Sequence, residues 1–272
     1  MRLLLRTGVP AWADTNQFIL TRYRPESRSW THCLASWTYW PNETANIYSH
    51  PVLAVMLALG AVTVRIDLRG FDGAIVVLQL VMAILCLVIS TLYHTALNHS
   101  ASFDYGGILA LILGNFLSGL HFGFYCDPAL RSQYWSLVLA LSAPFGLVLR
   151  PWFRATEWRT LRLASCVANG LSAFAPIGHA WYLWGRTYLM HIGVSYYLLE
   201  GALLLAGCYV WEVGVVDFPR RVPEPLFPGR LDIWGHSHTP WHVSVALSIA
   251  AHARGLLSAR DYNYRHALCR MG

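Results

Sequence analysis

Long apolar stretches separated by short polar ones run through the whole chain. Runs near the roughly 20 residues that an α-helix needs to cross about 30 Å of hydrocarbon recur at 47–65, 73–93, 104–124, 133–150, 163–184, 189–211 and 238–258. The pattern predicts an all-α polytopic membrane protein, a seven-transmembrane helix bundle. Its fourth run is short and carries Pro144. The expected organisation is an N-terminal segment, 1–46, then the bundle, 47–258, and a C-terminal tail, 259–272. Before the first run, Trp30, Trp37, Tyr39 and Trp40 suit a short amphipathic helix at the membrane interface, where aromatic rings prefer to sit. Pro219, Pro223, Pro225 and Pro228 disfavour helix and strand ahead of the last run and predict an extended, ordered loop there.

Composition agrees: 56% of residues are hydrophobic and only 12% charged, against roughly 25% charged in soluble domains. No polar stretch is long enough for a second domain. The opening Met1-Arg2-Leu3-Leu4-Leu5-Arg6 is too short in its apolar part for a secretory signal, and no cleavage is expected. Cys33, Cys86, Cys126, Cys166, Cys208 and Cys269 stand singly and read as small apolar packing residues.

All 20 basic residues are arginine. They concentrate before the first run (Arg2, Arg6, Arg22, Arg24, Arg28), between the fourth and fifth (Arg150, Arg154, Arg159, Arg162) and between the sixth and seventh (Arg220, Arg221, Arg230). The positive-inside rule then places the N-terminus in the cytoplasm. Arg254, Arg260, Arg265 and Arg270 fall at or beyond the outer face and oppose this orientation. The net charge of +6 belongs to these membrane flanks, so membrane lipids are the expected partners and no nucleic acid is.

Crossing parity brings polar residues together. Ser90 and His94 close the second run on one helical face, and a short loop returns the chain to Asp104 at the head of the third. The seventh run opens at the same leaflet with His238 and His242, four apart on one helix face. Three imidazoles with an open fourth position are the pattern of a catalytic metal site, zinc above all. Zinc in such a site makes a water reactive near neutral pH. Asp104 then accepts its proton, and Ser90 bonds the carboxylate, the water or a substrate carbonyl. Taken singly each has a plain role: Ser90 bonded to its own helix, His94 at an interface, Asp104 as a helix N-cap. Coincidence of depth and side favours the shared site.

The blocks Tyr23-Arg24-Pro25, Asn42-Glu43-Thr44-Ala45-Asn46-Ile47-Tyr48-Ser49-His50, Ser90 to His94, Phe103-Asp104-Tyr105-Gly106-Gly107 and Pro223-Glu224 through Phe227-Pro228-Gly229-Arg230-Leu231-Asp232-Ile233-Trp234 to Ser237-His238 resemble, in this order, the progestin and adiponectin receptor family, related to the hemolysin III proteins. The resemblance covers residues 19 to 258. It implies a seven-helix bundle with a cytoplasmic N-terminus and a buried Zn2+ held by His94, His238 and His242, with Asp104 holding the zinc-bound water and Ser90 beside it. It further implies receptor roles, regulation of lipid and zinc homeostasis, and ceramidase-like hydrolysis. Two positions depart from the family pattern. Ala45 stands where glycine is usual, and Thr239-Pro240-Trp241 replaces glutamine followed by apolar residues. Pro240 predicts that the last helix begins there, leaving His238 in the entering turn with His236 as a competing ligand.

Glu200, in mid-run, is costly in a membrane unless neutral, paired or facing a wet cavity, and is the candidate cavity residue. His121, His179, His191 and His252 read as helix contacts, and Gly106 and Gly107 as a close-packing point. The functions left open are an intramembrane zinc hydrolase of a lipid amide or ester, and a receptor or sensor with structural zinc that regulates lipid or zinc metabolism. A single metal site at one leaflet offers no continuous polar path for a zinc transporter. The protein is expected in the plasma membrane or an endomembrane with a lipid-like small molecule as substrate or ligand, and the sequence identifies no protein partner.

Overall fold

The computed structural model describes residues 2–10, 16–63, 70–99, 104–148, 158–213 and 223–266. Among them the protein is all-α: α1 (Trp30–Ala35), α2 (Thr44–Thr63), α3 (Gly70–Ala96), α4 (Asp104–Gly123), α5 (Pro128–Val148), α6 (Arg159–Leu171), α7 (Phe174–His191), α8 (Val194–Cys208) and α9 (His238–His266). Stretches in α3, α4 and α8 are long and apolar enough to cross a membrane by length and composition: Gly70–Ala96, Gly106–Gly123 and Val194–Trp211. Met56, Leu59, Leu139 and Trp181 are exposed, as a solvent of lipid tails permits.

The fifth predicted run is two helices. Pro176 lacks an amide proton and its ring crowds the carbonyl four residues back, so the Ser172 carbonyl accepts from the Ala175 amide at 3.1 Å instead. The chain turns at Ser172 and Ala173 and re-enters helix at Phe174. α7 then reaches His191, past the predicted end, and α8 starts only at Val194. Gly193 makes the joint at φ +74, where a Cβ would lie 2.7 Å from the Gly255 carbonyl oxygen.

The chain divides into two compact units, one comprising 1–56, 87–104 and 203–246, the other 57–86, 105–202 and 247–272. The second is built on an apolar core that includes Phe116, Phe122, Leu189, Leu256 and Ala259. α3 and α4 approach closely at Gly114, where a Cβ would fall 2.7 Å from the Met82 Cβ; Gly106, predicted for such a role, faces open space. In the first unit α8 and α9 meet at Gly207, where a Cβ would stand 2.6 Å from the Ser244 Cβ.

The N-terminal segment straps the loop leading to α9. The Asp232 carboxylate accepts from the amides of Leu20 and Thr21 at 3.1 and 2.8 Å and from the Thr21 hydroxyl at 2.6 Å. The Gly229 amide donates to the Phe18 carbonyl at 3.1 Å. The loop therefore enters α9 from a fixed position. α1 is short; Trp30 and Trp40 are exposed, whereas the Trp37 indole N–H donates to the Thr95 hydroxyl at 3.1 Å. Among the described residues Cys126 departs from the packing reading, being disulfide-bonded, while Cys33, Cys86 and Cys208 are buried.

Candidate metal centre

In the first unit, the last turn of α3 and the first turns of α9 bring His94, His238 and His242 together. Each offers one ring nitrogen, and these atoms lie within 4.8 Å of one another. His94 Nε2 is 3.1 Å from His238 Nε2 and 3.2 Å from His242 Nε2. α9 starts at His238 rather than at Pro240. Proline in a first turn sacrifices an amide that has no intrahelical partner in any case, so the i,i+4 spacing of the two histidines survives. Their ring centroids are 4.8 Å apart, and Trp211 meets His238 in a T-shaped contact with centroids 4.3 Å apart.

The outer nitrogens are committed elsewhere. His94 Nδ1 donates to the Glu43 carboxylate at 2.8 Å. The Ser49 hydroxyl meets both the Asn46 carbonyl at 3.2 Å and His242 Nδ1 at 2.7 Å; when it donates to the carbonyl, it accepts from the ring. With Nδ1 donating in both rings, the Nε2 atoms of His94 and His242 turn lone pairs toward one another at 3.2 Å, an arrangement that a cation between them satisfies. Zinc–imidazole bonds of about 2.0–2.1 Å at tetrahedral angles put nitrogens roughly 3.3–3.4 Å apart, close to the two distances that His94 Nε2 makes to the other rings. The donor set fits such an ion.

Glu43 is itself held. Its carboxylate also accepts from Asn46 Nδ2 at 2.8 Å. Burial pushes its carboxyl up, but hydrogen bonding and charge from His94, with His236 and Asn46 adding to them, outweigh burial and hold it below the usual carboxylate range. Arg24, also buried, donates from Nη1 to the Thr95 carbonyl at 2.7 Å and from Nη2 to the His94 carbonyl at 2.6 Å. A guanidinium thus caps the carbonyl end of α3 directly behind His94. The spacing of histidines gave no sign of Glu43, Ser49 or Arg24, although all three sit inside the N-terminal motifs.

Of the remaining predicted residues, Ser90 is buried one turn before His94. Asp104 opens α4, and the placement of its side chain lies outside the described residues, as do Arg65, Arg69, Arg150, Arg154, Pro219, Arg220, Arg221, Cys269 and Arg270. His236 does not join the triad; burial lowers its pKa, opposed by the nearby charges of Glu43 and Glu224. Glu224 accepts from Asn16 Nδ2 at 2.9 Å and from the Ser237 hydroxyl at 2.7 Å, fixing the residue before α9. Glu200 lies in the second unit. There it accepts from Asn115 Nδ2 and bonds His252 Nδ1 at 2.7 Å, while His252 Nε2 contacts the Ser118 hydroxyl at 3.0 Å. His121 bonds Asp72 at 2.6 Å, His179 bonds the Tyr134 hydroxyl at 3.0 Å, and His191 stacks on Tyr262. These histidines serve helix contacts.

Residues 38–253 match the profile of a family described as Haemolysin-III related. The chain is 31% identical over 275 residues to the "ADIPOR-like receptor IZH2" of Saccharomyces cerevisiae, covering 96% of this chain and 84% of that protein. It is 28% identical over 277 residues to the "Adiponectin receptor protein" of Drosophila melanogaster, covering 96% of this chain and 60% of that one. With "Heptahelical transmembrane protein 5" of Arabidopsis thaliana it shares 33% identity over 181 residues, 63% of this chain and 46% of that protein.

Proposed function

The chain belongs to the haemolysin-III related family of membrane proteins, and from that premise we propose that it is a receptor-like seven-helix protein whose His94–His238–His242 centre holds zinc and hydrolyses the amide bond of a membrane lipid. The observation that carries this reading is the set of Nε2 atoms turned to a common point while the Nδ1 atoms of His94 and His242 are bonded outward to Glu43 and Ser49. Zinc held there would supply a water made reactive near neutral pH and a polarised substrate carbonyl.

The chain's own groups do the rest. Glu43 and Ser49 keep the ligand rings in one tautomer and orientation. Asp104 at the head of α4 takes a proton from the attacking water and returns it to the departing amine nitrogen as the carbon–nitrogen bond breaks, leaving a carboxylic acid and an amine. Ser90 supplies a hydroxyl to that proton path or to the carbonyl oxygen. The acyl chains of the lipid run between apolar helices.

In this reading the N-terminus and the metal centre belong to the cytoplasmic leaflet. The disulfide at Cys126, just past the far end of α4 from Asp104, supports this orientation, because disulfides persist in oxidising compartments. The yeast and fly relatives are called receptors, which favours a second reading: a receptor or sensor, here with structural zinc and a lipid-like ligand that shifts the helices.

Purified protein in lipid, assayed with a ceramide and analysed for zinc, tests the two. Asp104→Ala is expected to keep its zinc and lose turnover, and His242→Ala to lose both. A zinc-loaded wild type that releases no fatty acid from lipid amides or esters removes the hydrolase reading and leaves the receptor. Wild type without zinc removes both.

A further inference from the structure

The inference rests on the lipid hydrolase reading and concerns His50, in the second turn of α2. Its ring lies face to face with that of His242, centroids 3.8 Å apart and planes inclined by 11°. His50 is 3% exposed, and neither of its ring nitrogens completes a hydrogen bond of good geometry among the described residues, although the His242 backbone lies near enough to interact with the ring.

Stacking does not explain this residue. A phenyl ring would stack on His242 equally well without burying a donor and an acceptor, and native interiors rarely leave such groups unpaired. In His94 and His242 both imidazole nitrogens are used: Nδ1 bonds Glu43 and Ser49, and the Nε2 atoms face each other. A neutral imidazole carries one donor and one acceptor, so the missing partner is a molecule that supplies the complementary pair. Its position against a metal ligand puts that molecule at the reaction centre.

We propose that His50 hydrogen-bonds the polar head of the lipid amide, whose carbonyl accepts and whose N–H and hydroxyl groups donate. The stack on His242 holds the His50 ring in a fixed plane, so the head group meets a preformed contact beside the metal. A simple ester, which has an acceptor but no N–H, satisfies only half of this contact, and His50 is therefore a residue that favours amides over esters.

The experiment uses the full chain in lipid nanodiscs as wild type, His50→Phe and His50→Gln. For each, zinc per chain, equilibrium binding of a fluorescent short-chain ceramide, and release of fatty acid are measured. His50→Phe keeps the stack and is expected to retain its zinc while binding ceramide about 5- to 10-fold more weakly, the loss of a neutral hydrogen bond. His50→Gln, with a donor and an acceptor of its own, recovers a large part of the affinity. If His50→Phe lowers the helical content seen by circular dichroism, His50→Met takes its place.

Ceramide affinity in His50→Phe within about twofold of wild type, less than one neutral hydrogen bond, overturns the inference and leaves an ordered water as the partner. Zinc lost in step with ceramide, and not restored by glutamine, also overturns it and makes His50 a support for His242. Wild type that binds ceramide but releases no fatty acid removes the hydrolase reading alone. Wild type that hydrolyses a lipid ester without binding ceramide removes this inference alone.

Discussion

Replacing Glu43 by glutamine separates the charge behind His94 from its shape. The carboxylate receives His94 Nδ1 at 2.8 Å in a buried site. Glutamine keeps an oxygen for that bond but removes the negative charge. A hydrogen bond to a charged group contributes about 1.5–3 kcal/mol and a neutral one about 0.5–1.5, so the substitution weakens the support of His94 by about 1–1.5 kcal/mol. Because every 1.4 kcal/mol is about tenfold in affinity, zinc affinity is expected to fall about 5- to 15-fold, inside the 10–100-fold range typical of groups that orient metal ligands. Alanine removes the acceptor as well and frees the His94 tautomer, so its loss is larger. The assay is competition for zinc against a chromogenic chelator at pH 7 in nanodiscs, with circular dichroism as the control for folding. Folded Glu43→Gln with wild-type zinc affinity, within about twofold, would refute the reasoning that this carboxylate strengthens the centre.

Stripping zinc with a chelator is expected to lower the melting temperature, and added zinc to restore it by mass action, about 4 kcal/mol when free zinc stands 1,000-fold above its dissociation constant; His242→Ala should show no such response. Gly207→Ala pushes a methyl to 2.6 Å from the Ser244 Cβ, and should cost about 1–3 kcal/mol in a melt of the detergent-solubilised protein. A melt unchanged from wild type would show that α8 and α9 yield there freely. Glu200→Ala strands His252 Nδ1 and Asn115 Nδ2 and should destabilise the fold by about 3–5 kcal/mol while zinc stoichiometry holds, since the metal ligands all lie in the other compact unit. Loss of zinc without loss of stability would contradict this assignment.

Much of the architecture was legible because the bilayer sets a length and a polarity for each crossing. α2, α3 and α4 fall within a few residues of their predicted runs. The fifth run misled because its hydropathy is continuous whereas Pro176 interrupts the hydrogen-bond ladder, and hydropathy does not register a missing amide. At His238 the same residue type was given too much weight: Pro240 lies early enough in α9 that its missing amide does no harm, so the helix starts at the histidine. Cys126 was misread because a disulfide depends on where two sulfurs come to rest, and spacing along a chain does not report that.

The histidine triad could be anticipated because parity of crossings is a property of chain order, and i,i+4 spacing is a property of a single helix. Sequence by itself therefore determined the all-α membrane class, the family and the histidines that come together. The tertiary structure decided which atoms of those rings face inward. That choice depends on Glu43 and Ser49, whose side chains reach His94 and His242 across 51 and 193 residues of chain, and on Arg24, which caps α3 from 70 residues away. No periodicity connects such partners; they meet because burial leaves a polar group no alternative to bonding the nearest complementary one.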